Sequence, residues 1–137
     1  YDLAASDPRA LRAAMAPLAA SAAGLVDTMA ALASAVDREL IAARRPGFEA
    51  DYAETLRGGI EGVAGDTVLA AGAWTFPLAE IQAEVDLWIG TEDCFTPPAM
   101  TRHLASVLPR NRVFELAGAG HICLYTHWHD ILDELIL

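Results

Sequence analysis

The feature that most limits what this chain can fold into is a change of period near its middle. Val85-Asp86-Leu87-Trp88-Ile89 is a short apolar run of strand length, entered from Glu80-Ile81 and closed by Gly90. Arg112-Val113-Phe114-Glu115-Leu116 alternates and predicts a second strand. Between them Pro97-Pro98 opens a helix through Leu108, with Met100, Leu104 and Leu108 on its apolar side, and Pro109-Arg110-Asn111 forms a turn. A last helix is expected from about Thr126 to Ile136. Strand, helix, strand, helix predicts an α/β class with parallel pairing and a right-handed crossover. Two parallel strands do not make a stable sheet alone, so the expectation is that other strands complete it.

The half before this switch predicts helices. Asp7-Pro8 is an N-cap followed by proline at the first helical position, and Leu11, Met15 and Leu18 recur at helical spacing until Pro17 bends or ends the segment. Leu25, Met29, Leu32, Val36 and Leu40 form one apolar stripe, which predicts a single long amphipathic helix. Arg44 and Arg45 then fall in its last turn, favourable against the helix dipole, and Pro46-Gly47 stops it. Further helices are expected over Phe48 to Leu56, ending in Arg57-Gly58-Gly59, and over Asp66 to Ala71.

Composition narrows the partners. In 137 residues there are 19 acidic and 9 basic side chains, a net charge of −10, and every basic residue is arginine. Such a chain has no electrostatic footprint for nucleic acid or an anionic membrane surface. Apolar residues make up 54% and the mean hydropathy is +0.29, which excludes a disordered chain. Ala13 to Val36 carries Asp27 as its single charge, yet Pro17, Ser21, Gly24 and Ser34 interrupt it and alanine inserts weakly, so no membrane span is expected. Cys94 and Cys123 are too few for a disulfide framework and fit a cytoplasmic setting. No secretory signal is visible, and an opening at Tyr1 rather than methionine is what a sequence beginning within a longer protein would show.

Two residues stand where chemistry is expected. Asp93 follows the first strand in Gly90-Thr91-Glu92-Asp93-Cys94-Phe95-Thr96-Pro97, and His121 follows the second in Gly118-Ala119-Gly120-His121. Active sites in open α/β sheets form beyond the carboxyl ends of the strands, so both loops face one edge. A carboxylate there can accept the imidazole N–H, fix its tautomer and stabilise the imidazolium, leaving the other nitrogen for a nucleophile or a water. For Asp93 alone the competing reading is an Asx-turn or a cap before Pro97. For His121 alone it is a histidine in a glycine-rich turn.

The segment Trp74-Thr75-Phe76-Pro77-Leu78, with Glu80-Ile81, Val85, Leu87-Trp88, Gly90, Asp93 and Pro97, resembles the α/β-hydrolase pattern around the acid-bearing strand. Gly118-Ala119-Gly120-His121, with Trp128 and the helix from Asp130 to Leu135, resembles that superfamily's histidine loop and last helix. The pattern is most like the lid-bearing esterase, peroxidase-type and dehalogenase-like members. The resemblance implies a partial α/β-hydrolase fold: a helical cap over residues 1–72, then the C-terminal part of the core over 73–137, with its last two parallel strands and helices. It further implies Asp93 as triad acid, His121 as general base, a small apolar ester as substrate and no cofactor. In that fold the nucleophile precedes acid and histidine in a G-x-S-x-G elbow. None of Ser6, Ser21, Ser34 and Ser106 has such a glycine frame. The nucleophile is therefore expected in a missing N-terminal half, and the chain alone is expected to be inactive. An aspartate nucleophile, as in dehalogenases and epoxide hydrolases, fits this half equally well. So does a non-catalytic module that pairs its sheet edge with another chain, a second copy of itself included.

The remaining candidates have simpler expectations. His127 and His129 lie two apart on a helix and point to different faces, so no metal site is expected. His103 is expected on a helix surface, and both cysteines as small apolar filler. Trp74 and Phe76 are candidates for lining a substrate pocket at the junction of cap and core, with core packing the alternative. Trp88, on a strand, is expected to pack in the core.

Overall fold

The computed structural model describes residues 7–15, 17 and 21–136. The chain divides into two compact units: Tyr1–Ala31 with Ile41–Thr75, and Leu32–Leu40 with Phe76–Leu137.

The first unit is helical. Helix α1 (Pro8–Met15) starts as expected, with the backbone amides of Arg9 and Ala10 both donating to Asp7 Oδ1 at 3.0 Å. Leu18 lies outside the described residues. Helix α2 (Ala22–Leu32) is opened by Ser21, whose Oγ accepts the Gly24 amide at 3.0 Å. The expected single helix from Leu25 through Leu40 does not form. It breaks at Ala33-Ser34, and α3 (Ala35–Ala43) starts afresh, with Ser34 Oγ accepting the Asp37 amide at 3.4 Å. Serine competes for backbone donors more effectively than it continues a helix, so its side chain ends one helix and caps the next. Leu32 is accordingly 65% exposed rather than packed in a stripe.

Pro46-Gly47 likewise opens a helix rather than stopping one. Helix α4 (Arg45–Thr55) carries Pro46 in its first turn, where the missing N–H has no intrahelical partner to lose. Arg45 joins Asp27 at 2.8 Å and Glu49 at 2.7 Å, and Tyr52 Oη donates to Met29 Sδ at 2.9 Å. Helix α5 (Glu61–Ala71) begins earlier than expected, runs through Gly62 and Gly65, and packs against α1. Burial of Ala64 on α5 shows why glycine does not break it: packing outweighs propensity. Val26, Ile41, Phe48 and Ala64 form the unit's core. Among the described residues no helix is long and apolar enough to cross a membrane.

The second unit takes in Leu32–Leu40, with most of α3, and the β-α-β-α arrangement the sequence predicts, and the protein is mixed α/β. Strand β1 (Val85–Gly90), helix α6 (Pro98–Val107), strand β2 (Asn111–Leu116) and helix α7 (Leu124–Ile136) follow in order after a 3-10 turn at Leu78–Glu80. The strands pair in parallel, from Val85 opposite Asn111 to Gly90 opposite Leu116. The pairing sets Trp88 opposite Phe114, and their rings stack with centroids 4.2 Å apart, 8° from parallel. Helix α6 packs on both strands. Its end is closed by Asn111 Nδ2, which donates to the carbonyls of Ala105 at 3.0 Å and Leu108 at 2.9 Å. Arginines tie the elements together: Arg102 to Glu115 between α6 and β2, and Arg112 to Asp86 on β1 and Glu134 on α7. Helix α7 starts slightly before the expected Thr126 and kinks at His127, whose φ of −119° and ψ of 21° are not helical.

Candidate functional site

The loops after β1 and β2 are laced to each other by hydrogen bonds. Thr91 N donates to Leu116 O at 3.1 Å, Glu92 N to Ala119 O at 2.9 Å, and Gly118 N to Thr91 Oγ1 at 2.8 Å. Gly118 has a φ of +74°, a conformation that favours glycine. Gly90 is required for a different reason. A Cβ on it would lie 2.3 Å from Gly120 O and 2.4 Å from Ala119 O, so the second loop lies directly on the end of β1.

This lacing brings Asp93 and His121 together. Asp93 Oδ2 lies 3.0 Å from His121 Nδ1, while Oδ1 accepts the amides of Phe95 at 2.9 Å and Thr96 at 2.8 Å. Asp93 thus makes both the Asx-type turn and the imidazole contact, one carboxylate oxygen serving each. The Asx-type turn aims the side chain, and the other oxygen meets the imidazole. The acid is 10% exposed and the histidine 41% exposed, so one is fixed and the other open to an incoming group. Phe95 flanks the imidazole with its ring centroid 5.1 Å away. Nε2 makes no hydrogen bond among the described residues. Such a pair can take a proton from a third group at Nε2 and return it.

None of the described serines hydrogen-bonds to His121. Ser21 caps α2, Ser34 Oγ donates to Asp37 Oδ2 at 2.9 Å, and Ser106 Oγ donates to His103 O at 2.7 Å. Ser6 lies outside the described residues. Cys94 places its sulfur 3.2 Å from Leu32 O. Burial pushes the Cys123 thiol above its usual range, and the nearby Asp93 charge adds to this, so it stays a neutral thiol at neutral pH. Cys123 lines a hollow of about 190 Å³ with Val36, Leu40, Ala117, Ile122 and His127, and His121 is not part of that lining. His127 Nδ1 faces Thr126 Oγ1 at 2.8 Å, and His129 and His103 are exposed. No group of three or more metal-ligating side chains comes together among the described residues. Trp74 belongs to the first unit and is 52% exposed, and Phe76 belongs to the second and is 53% exposed. Phe76 does not line the hollow behind the histidine loop.

Sequence reasoning missed Asp37. It is 2% exposed, and its carboxylate accepts the His121 amide at 2.9 Å and the Ile122 amide at 3.2 Å as well as the Ser34 hydroxyl. A signal for it was present. Ser34-Ala35-Val36-Asp37 has the spacing of a helix-opening serine followed by an acid three residues on. Gly120 exists for this residue, because a Cβ there would lie 2.2 Å from Asp37 Oδ1.

No family model, curated protein or solved structure matches the chain.

Proposed function

We propose that this chain carries the acid and the base of an α/β-hydrolase-type enzyme acting on small apolar esters. The observation that supports this most is the 3.0 Å contact between Asp93 and His121 at the carboxyl ends of adjacent parallel strands, with Nε2 making no hydrogen bond among the described residues. In this reading the helical residues 1–72 are the cap, and the nucleophile comes from a segment outside the 137 residues. His121 Nε2 removes the nucleophile's proton as it attacks the ester carbonyl, while Asp93 holds the Nδ1–H and the imidazolium. His121 then protonates the departing alkoxide, and a water activated in the same way releases the acid.

The test is hydrolysis of p-nitrophenyl butyrate by the product of the complete reading frame. His121→Ala and Asp93→Asn are each expected to lower kcat by about 10³-fold or more while the protein stays folded. Undiminished turnover in His121→Ala sinks the proposal. Labelling by a fluorophosphonate separates a serine nucleophile from the aspartate of a dehalogenase or epoxide hydrolase.

A second reading, a non-catalytic module that completes its sheet on another chain, draws on a different observation. Among the described residues the sheet has two strands, and Val113, Leu124, Trp128, Leu135 and Ile136 are exposed. Dimerisation in light scattering without esterase activity would favour it.

A further inference from the structure

We infer that Asp37 is a positioning residue, whose carboxylate sets the place of the His121 imidazole by holding the backbone beneath it. The inference rests on the reading of Asp93 and His121 as a working pair, and it adds a third acid that nothing in the motif of that pair contains.

The loop from Ala117 to Cys123 belongs to neither a strand nor a helix, so regular pairing does not fix the backbone that carries His121. Asp37 does so from 84 residues away in sequence. Its Oδ2 accepts the His121 amide at 2.9 Å and its Oδ1 the Ile122 amide at 3.2 Å, the two peptide groups that determine where the histidine Cα sits and how its side chain leaves the loop. The carboxylate is itself held. Ser34 Oγ donates to Oδ2 at 2.9 Å, and Asp37 occupies the first turn of α3, where the helix dipole favours a negative charge. A buried carboxylate costs free energy unless its oxygens are satisfied, and here both are, by donors that include the backbone of the catalytic loop. The fit is tight in the third direction too. Gly120 leaves no room for a Cβ against Asp37, and Gly90 none against Gly120, so carboxylate, loop and strand end form one stack. Asp93 orients the imidazole from its ring, and Asp37 orients it from its main chain.

The experiment is nuclear magnetic resonance of the 15N-labelled chain, following the His121 Nδ1 proton, which a hydrogen bond to a carboxylate moves downfield and shields from exchange. The folded state is checked by circular dichroism. Asp93→Asn removes the signal directly and serves as the control for the pair. Asp37→Asn keeps the side-chain size but turns an amide NH2 towards a backbone N–H. It is expected to broaden the signal away, or to speed its exchange with water about tenfold, with helix and strand content retained. Where Asp37→Asn does not fold, Ser34→Ala decides, since it removes a single donor from the carboxylate; faster exchange of the same proton is expected. A signal that Asp93→Asn abolishes but Asp37→Asn, or in its place Ser34→Ala, leaves unchanged overturns the positioning role and keeps the pair. A signal missing from the parent chain, or untouched by Asp93→Asn, overturns the pair and the inference together.

Discussion

The two units hold their polar groups in different ways. In the first, threonine hydroxyls bond one turn back along their own helix, Thr28 to Gly24, Thr55 to Asp51 and Thr67 to Val63, and the longer-range bonds, Arg45 to Asp27 and Tyr52 to Met29, join side chains of two helices. In the second, the bonds that matter join distant parts of the chain: Gly118 to Thr91, His121 to Asp93, and His121 to Asp37. Local bonds stabilise a helix without saying where it lies. Long-range bonds to loop backbone fix positions in space, which is what a proton-transferring pair needs. The difference is that between polar groups satisfied within or between helices and polar groups that hold loop backbone in place.

Glycine substitutions should separate the two most widely. Gly90→Ala drives a methyl into backbone carbonyls and is expected to destabilise the protein by roughly 3 kcal/mol, whereas Gly62→Ala, in open space within α5, should stabilise it by about 0.5–1 kcal/mol. Urea midpoints measure both, and equal effects would break the comparison. Next in size is the aromatic stack. Trp88→Ala is expected to cost about 2 kcal/mol, since the ring is part-buried against Phe114, while Leu69→Ala on the exposed side of α5 should lie within about 0.5 kcal/mol of the parent. The smallest effect is electrostatic. Hydrogen bonding to Arg112 holds the Asp86 carboxyl below its usual range, and Arg102 does the same for Glu115. A lowered folded-state value means the contribution is complete above the unfolded value, about 4, and fades as the pH falls through the folded one. Amide protection across β1 and β2 should therefore loosen in that acid range, and Arg112→Ala should flatten the response. An unchanged profile would remove these pairs from the account of what holds the strands.

How much was legible follows the same division. The β-α-β-α order could be read because strand-length apolar runs and glycine-closed ends are short-range signals, and Asp93 and His121 stood out by occupying those ends. The helical half blurred because its alanines keep a helical period running across places where the chain turns. The stripe from Leu25 to Leu40 continues through Ser34, and only the serine's capping bond reveals the break. Asp37 was hidden by that error. Within a continuous helix, Asp37-Arg38-Glu39 is an ordinary charged face, whereas at a helix start it is an acid free to face another loop.

The span of that last contact also bears on how the site is completed as the chain folds. Asp93 and His121 are 28 residues apart, Asp37 and His121 are 84 apart, and closing the longer stretch costs roughly 1 kcal/mol more in chain entropy. Pairing of β1 with β2 can bring the Asp93 carboxylate and the imidazole within reach through the shorter closure. Asp37 reaches the histidine loop only through the longer closure. A chain in which only the shorter closure had formed would hold the Asp93 carboxylate and the imidazole near each other without the bonds from Asp37 to the loop backbone.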